Sequence, residues 1–220
     1  MKFSCKRFLR WAFPCSADYC RACNALVLNR RSYLHSTGWM RSSREGKPVD
    51  KEGNPLPWMN YPAIRFLEER LRKDLRLFEF GSGYSTSFYA RHVAHVTSVE
   101  HDDEWLQVVR SMLPANATLI HQPQDVDGAY CRTIQATGQQ YDVVIVDGRD
   151  RVNCLRQSLP ALSATGVLLL DDSQRDRYRE GIRDVREQGF RALNFEGLKP
   201  TGKNVDQTTL FYRPDNCLGL

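Results

Sequence analysis

From residue 75 onward, apolar and polar positions follow two alternating rhythms. Short apolar runs at 75–80, 95–100, 117–121, 141–147 and 166–172 read as strands. YDVVIVD (141–147) and GVLLLDD (166–172) are apolar on both faces, as strands are when a layer covers each side of the sheet. Between them, residues 85–94, 102–113, 151–162 and the polar stretch 174–188 read as helices, the third bent at Pro160. Two last strands, 191–197 and 207–214, are expected to pair antiparallel. Ahead of this block, PWMNYPAIRFLEERLRKDL (57–75) starts a helix, with Pro62 in its first turn and Ile64, Leu67 and Leu71 on one face. The alternation predicts an α/β, Rossmann-like fold: a mostly parallel sheet, helices on both faces, and a C-terminal antiparallel strand pair.

Residues 1–57 lack this rhythm and read as an irregular, basic, cysteine-containing extension, with one folded domain over 58–220. SSREGKPVDKEGNPLP (42–57) is turn chemistry. The extension holds 11 of the 31 Lys and Arg and 4 of the 26 Asp and Glu, so the net charge of +5 belongs to it. The body is slightly acidic, which argues against a nucleic-acid enzyme. The basic segment reads as a solvated arm or a contact for an acidic partner. Its start, MKFSCKRFLRWAFPC, has charges every few residues and no apolar centre, unlike a secretory signal; a weak surface anchor stays open. No apolar run is long enough for a membrane span.

Seven cysteines are an odd number, and four of them (Cys5, Cys15, Cys20, Cys23) crowd the start. This is no disulfide framework, so a reducing, cytoplasmic setting is expected. The spacing of Cys15, Cys20 and Cys23 occurs among iron–sulfur ligands, but no fourth ligand is evident.

The chemistry centres on FEFGSGYSTSFYA (78–90). A dinucleotide turn needs a third glycine, where this chain has Thr86, and no Gly-Lys-Ser/Thr of a phosphate loop occurs. Glu79 stands two residues before Gly81, where a carboxylate repels pyrophosphate and attracts a cation. Glu100 closes the second strand and can accept both hydroxyls of a ribose. The pocket therefore suits a nucleoside that carries a positive charge and no phosphate.

EFGSGYST, VTSVEHD, YDVVIVDG and GVLLLDDS, in this order over about 75–173, resemble the motifs of class I S-adenosylmethionine-dependent methyltransferases. The resemblance implies that Glu79, Gly81, Ser82 and Gly83 hold the methionine part of S-adenosylmethionine. Glu100 would hold the ribose, with His101 and Asp102 beside the adenosine and Gln124 or Asp125 near the adenine. Other nucleotide-binding domains and aminopropyltransferases share the fold. A cofactor-binding protein without catalysis is the rival of a different class.

Asp147 ends the fourth strand, and Asp171 and Asp172 end the fifth. Such carboxylates either share protons or hold a hard divalent cation. The set is similar to that of metal-dependent O-methyltransferases acting on catechol or caffeoyl-CoA, which implies Mg²⁺ or another divalent cation on Asp147, Asp171 and Asp172. It implies catalytic roles for Asp147 and Asp171. This chain departs from that pattern with Asp172 in an asparagine position, and with Arg149, Asp150 and Arg151 where a lysine is expected. The implied reaction is O-methylation of a small-molecule or glycan hydroxyl, and a homodimer stays open. Trp58 to Tyr61 could line an acceptor pocket or pack the first helix. The loop EGLKPTGKNVDQ (196–207), with Lys199 and Lys203, could lie at the active-site mouth or at the far end of the hairpin.

Overall fold

The computed structural model describes residues 14–220, with side chains from residue 18. Strands β1 (Arg76–Phe80), β2 (His95–Glu100), β3 (Ala117–His121), β4 (Tyr141–Val146), β5 (Leu162–Asp171), β6 (Arg191–Gly197) and β7 (Asp206–Tyr212) build one sheet. Their order is β3-β2-β1-β4-β5-β7-β6. β1 to β5 run parallel, while β7 is antiparallel to both β5 and β6. This is the Rossmann-like arrangement, mostly parallel with a C-terminal antiparallel pair, that the strand and helix rhythm predicts.

The described helices are α1 (Pro14–Cys23), α2 (Tyr33–Ser36), α3 (Trp39–Glu45), α4 (Tyr61–Arg70), α5 (Tyr84–Ala90), α6 (Asp103–Ser111), α7 (Ala129–Ala136), α8 (Arg151–Ser158) and α9 (Arg179–Glu187). Alternate residues of each central strand face opposite layers. Leu77, Val143, Ile145, Val167 and Leu169 meet the buried faces of α4 and α5. Phe78, Phe80, Val144, Val146, Leu168 and Leu170 meet α7, α8 and α9. Burial on both sides is why these strands read as unbroken apolar runs.

Three sequence expectations change. The stretch 14–45 is not irregular: it carries α1, a π-helical turn (Asn24–Leu28), α2 and α3. These elements are short and anchored by tertiary contacts, such as the buried Ser42 hydroxyl donating to Val49 O at 2.7 Å, so they leave no periodic signal. α7 falls in a stretch that shows no element by pattern. Its start depends on the Asp125 carboxylate, which accepts from Ala129 N at 2.7 Å and Tyr130 N at 3.0 Å. The helix expected over 151–162 stops at Ser158, and a 3₁₀ turn (Leu159–Ala161) takes up Pro160. Cys5, the side chain of Cys15 and the basic start of the chain lie outside the described residues. Among the described residues, no helix is long and apolar enough to cross a membrane.

α4 locks the antiparallel pair onto the sheet. Fully buried Asn60 caps it, accepting from Ala63 N at 3.0 Å, and donates to Thr208 Oγ1 at 2.8 Å and Phe195 O at 3.1 Å. Asn60→Ala removes a helix cap and strands a buried acceptor. We expect a loss of about 2–3 kcal/mol in unfolding free energy, measured by urea denaturation; a change under about 0.5 kcal/mol would show that the cap is dispensable.

Candidate functional site

In an open parallel sheet, ligands bind beyond the carboxyl ends of strands where the chain order reverses. Here that place lies between β1 and β4, since β2 follows on one side of β1 and β4 flanks the other. A cleft of about 320 Å³ opens there. Its lining comprises residues of the turn after β1, the end of β2, the turn after β4 and Trp58 from the segment before α4.

Backbone hydrogen bonds tie the start of each turn to the neighbouring strand. Gly81 N donates to Val99 O at 3.0 Å, and Asp147 N donates to Phe80 O at 3.1 Å. A Cβ on Gly148 would lie 2.1 Å from Tyr130 Oη and 3.0 Å from Gly81 N, so this position admits only glycine without a shift. Gly81 has φ +103° and Gly83 φ +145°, conformations that favour glycine. Gly83 lies against Trp105, whose indole donates to Ser82 O at 2.9 Å.

Glu79, Gly81, Ser82, Glu100, His101 and Asp102 all line this cleft, and Gly83 completes its turn. Glu79 is almost fully buried. Its Oε1 accepts from Thr86 Oγ1 at 2.7 Å and Ser85 Oγ at 3.0 Å, while Oε2 has no partner. Burial, reinforced by the charge of Asp147, pushes its carboxyl up to about 8. A buried, half-satisfied carboxylate beside an open cleft is a seat for a ligand cation.

Glu100 is prepared differently. Its Oε1 accepts from the backbone N–H of His101 (2.8 Å) and Asp102 (3.0 Å), and its Oε2 accepts from Ser82 Oγ at 2.8 Å. These bonds fix the carboxylate at the cleft wall. Asp102 caps α6 by accepting from Trp105 N at 2.8 Å. The His101 ring accepts from Arg149 Nε at 3.2 Å and meets Tyr130 edge-on. Gln124 and Asp125 do not line the cleft, and the carboxylate of Asp125 is engaged in capping α7.

Asp147 lines the cleft; Asp171 and Asp172 sit behind it. One oxygen from each of the three lies within 4.8 Å of the others. Three cations meet them. Arg151 is 2.8 Å from Asp147 Oδ1 and 3.5 Å from Asp172 Oδ2. Arg175 is 2.8 Å from Asp172 Oδ2. Lys199, at the start of the β6–β7 loop, donates to Asp171 Oδ2 at 2.7 Å and Asp172 Oδ1 at 2.5 Å. Thr208 Oγ1 donates to the other oxygen of Asp171 at 2.6 Å. Burial raises the Asp171 carboxyl, against the pull of Lys199. For Asp172 burial works upward too, but Lys199, Arg151 and Arg175 outweigh it and hold the carboxyl below its usual range. Asp147, less shielded from Asp171 and set in the cleft floor, is pushed up to about 7, first by burial and then by that neighbour, with Arg151 opposing.

These contacts test the cluster against a divalent cation. Even fully ionised, the three carboxylates face three cations, and both carboxylates of the 171–172 pair are occupied by Lys199. The donor set as it stands does not fit a dication, which needs free carboxylate oxygens.

The sequence left several site residues unassigned. Ser85, Thr86, Trp105 and Tyr130 act through contacts between separate segments and carry no motif of their own. Tyr89, in α5, reaches the same cleft with its buried hydroxyl unpartnered. Trp58 lines the cleft while Met59 and Tyr61 pack in the core. The loop with Lys199 lies on the acidic cluster and so at the active-site side of the hairpin. Lys203 is exposed.

Residues 78–173 match a family model described as a methyltransferase domain. Among solved structures, the O-methyltransferase TomG of Streptomyces achromogenes, involved in tomaymycin synthesis and solved with S-adenosylmethionine, is 19% identical, with 90% of this chain and 95% of that one covered and a TM-score of 0.56. An O-methyltransferase from Bacillus cereus solved with S-adenosylhomocysteine is 14% identical over 89% and 97% of the two chains, with a TM-score of 0.55. A precorrin-6y C5,15-methyltransferase from Geobacter metallireducens is 16% identical over 69% and 87%, with a TM-score of 0.51. At these identities the likeness is one of fold. A search of curated proteins finds no significant match. The matched stretch spans the glycine turn, the ends of β2 and β4 and the Asp171–Asp172 pair, so the cleft at the switch point of this sheet lies in a region similar to methyltransferase domains, on a fold shared with S-adenosylmethionine-dependent methyltransferases.

Proposed function

We propose that the enzyme transfers the methyl group to a hydroxyl of a small molecule or glycan, with Asp147 as the proton acceptor. The observation that carries this reading is the shared cleft: the unpartnered, buried Oε2 of Glu79, the fixed carboxylate of Glu100 and the half-open Asp147 face one space. Glu79 supports the ammonium of S-adenosylmethionine and Glu100 its ribose hydroxyls. The Gly81–Gly83 turn brings backbone close to the amino-acid end. Gly81, Ser82, Gly83, His101 and Asp102 complete the proposed cofactor site.

The sulfonium supplies an activated methyl group, so the protein chiefly aligns it and removes a proton. The C–O bond forms on the acceptor oxygen as the C–S bond breaks, and the hydroxyl proton passes to Asp147. A base near 7 is matched to that task. Asp171, locked between Lys199 and Thr208, positions the cluster behind Asp147 and does not reach the cleft. Trp58 offers a half-exposed ring at the cleft mouth, suited to a planar aromatic or a sugar face.

We further propose a methyltransferase domain over 58–220 with 1–57 as its extension. The extension contributes to the acceptor end, where Pro48 also lines the cleft. TomG and the B. cereus protein are O-methyltransferases by description, which supports the choice of oxygen.

Calorimetric titration with S-adenosylmethionine and S-adenosylhomocysteine tests the reading first. It is followed by S-adenosylhomocysteine release against phenols, catechols and sugars. Micromolar binding and release with a hydroxyl acceptor are expected. Binding of neither ligand would overturn the assignment of the cleft; transfer to nitrogen or carbon acceptors alone would overturn the assignment of oxygen.

A further inference from the structure

We infer that Lys199 is a built-in counter-ion that takes the place of a divalent cation between Asp171 and Asp172. The methyl transfer proposed above then runs without metal, on which point the inference rests on that reading. The argument begins with charge. Asp147, Asp171 and Asp172 carry three negative charges when ionised, and Arg151, Arg175 and Lys199 supply three positive ones within 4 Å. A dication added to this set would meet a neutral cluster and an ammonium at close range, which is repulsive in a buried site.

The position of Lys199 is also built. Its side chain is 14% exposed and its nitrogen bridges one oxygen of each aspartate. The loop that delivers it is held on its outer side by backbone acceptors. Trp39 Nε1 donates to Gly202 O at 2.8 Å, Trp58 Nε1 donates to Pro200 O at 3.0 Å, and Tyr61 N donates to Leu198 O at 2.9 Å. Thr201 takes φ +63°, a left-handed turn that a threonine adopts only when its surroundings hold it there. So three contacts from the segment before and at the start of α4 secure one loop, and that loop secures one lysine. This gives the tryptophans of residues 39–58 a task that core packing does not explain.

Removing the ammonium should open a metal site. With Lys199→Met, Asp171 Oδ2 and Asp172 Oδ1 lose their partner and the cluster carries a net negative charge. Those two oxygens, with the free oxygen of Asp147 and waters, form the donor set that a hard dication takes. Lys199→Arg keeps the charge.

The test is a titration of the full chain with Mn²⁺, followed by calorimetry and by electron paramagnetic resonance of free ion, without reference to turnover. Wild type and Lys199→Arg should bind no ion at this cluster. Lys199→Met should bind one, with a Kd of about 10⁻⁴–10⁻³ M, and the ion should raise its melting temperature. The signal should vanish in Lys199→Met/Asp172→Asn. One Mn²⁺ bound to wild type and lost in Asp172→Asn would overturn the inference, and this arm holds even if the methionine variant fails to fold. A folded Lys199→Met that binds no ion would overturn it equally. Because binding is read directly, an error about the methylated acceptor would leave these outcomes unchanged.

Discussion

Replacing Asp147 with asparagine should lower turnover about 10²–10⁴-fold, the usual worth of a positioned base, while cofactor affinity changes by no more than about 3-fold. The side chain faces the cleft, and its backbone N–H, not its carboxylate, ties the β4 turn to β1. Asparagine keeps the shape and an oxygen that Arg151 can reach, and loses the negative charge and the basic oxygen. The pH profile separates a base from a structural prop. With the Asp147 carboxyl at about 7, wild-type turnover should rise roughly tenfold per pH unit below that value and level off above it. The asparagine variant should show no such limb. Stability moves the other way. A carboxyl raised above its unfolded value is favoured in its protonated form by the fold, so this group's contribution is present below about 3.8 and is lost as pH rises through about 7. A variant that keeps half of wild-type turnover, or the same pH limb, would remove Asp147 from the chemistry.

The parts legible in the sequence were those governed by local pattern. β4 and the apolar half of β5 announce themselves because both faces of these strands are covered. Glu79, Gly81, Glu100 and Asp147 are readable because each sits at or just after the carboxyl end of a strand, and the topology then gathers strand ends into one crevice. What could not be read depends on contacts between distant segments. Lys199 is one of several lysines until Trp39 and Trp58 fix its loop. Arg151 was visible as a departure from a familiar motif, yet its bridge to Asp147 and Asp172 needs the fold of α8 against β5. α7 has no strong pattern because its cap, Asp125, lies four residues upstream in an exposed loop. The same fact withdraws the carboxylate of Asp125 from the cleft.

Binding of S-adenosylmethionine at pH 7 should release close to one proton, and the source should be Glu79. In the free protein, burial holds this carboxyl at about 8, so it is largely protonated at neutral pH. The ammonium of the cofactor, placed at the unpartnered Oε2, favours the carboxylate and expels the proton. Affinity should therefore increase as pH rises from 6 to 8. Calorimetry in two buffers of different ionisation enthalpy reads the proton count directly. In Glu79→Gln the release should disappear, the pH slope should flatten, and affinity at pH 8 should fall about 10–100-fold, the worth of one charge-assisted hydrogen bond. Stability provides an independent sign. Because the folded value lies above the unfolded 4.5, the cofactor-free enzyme loses this group's contribution as pH climbs from there through 8. The glutamine variant has no such loss, so above pH 8 it should melt higher than wild type while binding the cofactor less tightly. An unchanged proton count in the variant would place the titrating group elsewhere. An unchanged affinity would mean that the ammonium does not sit on Glu79.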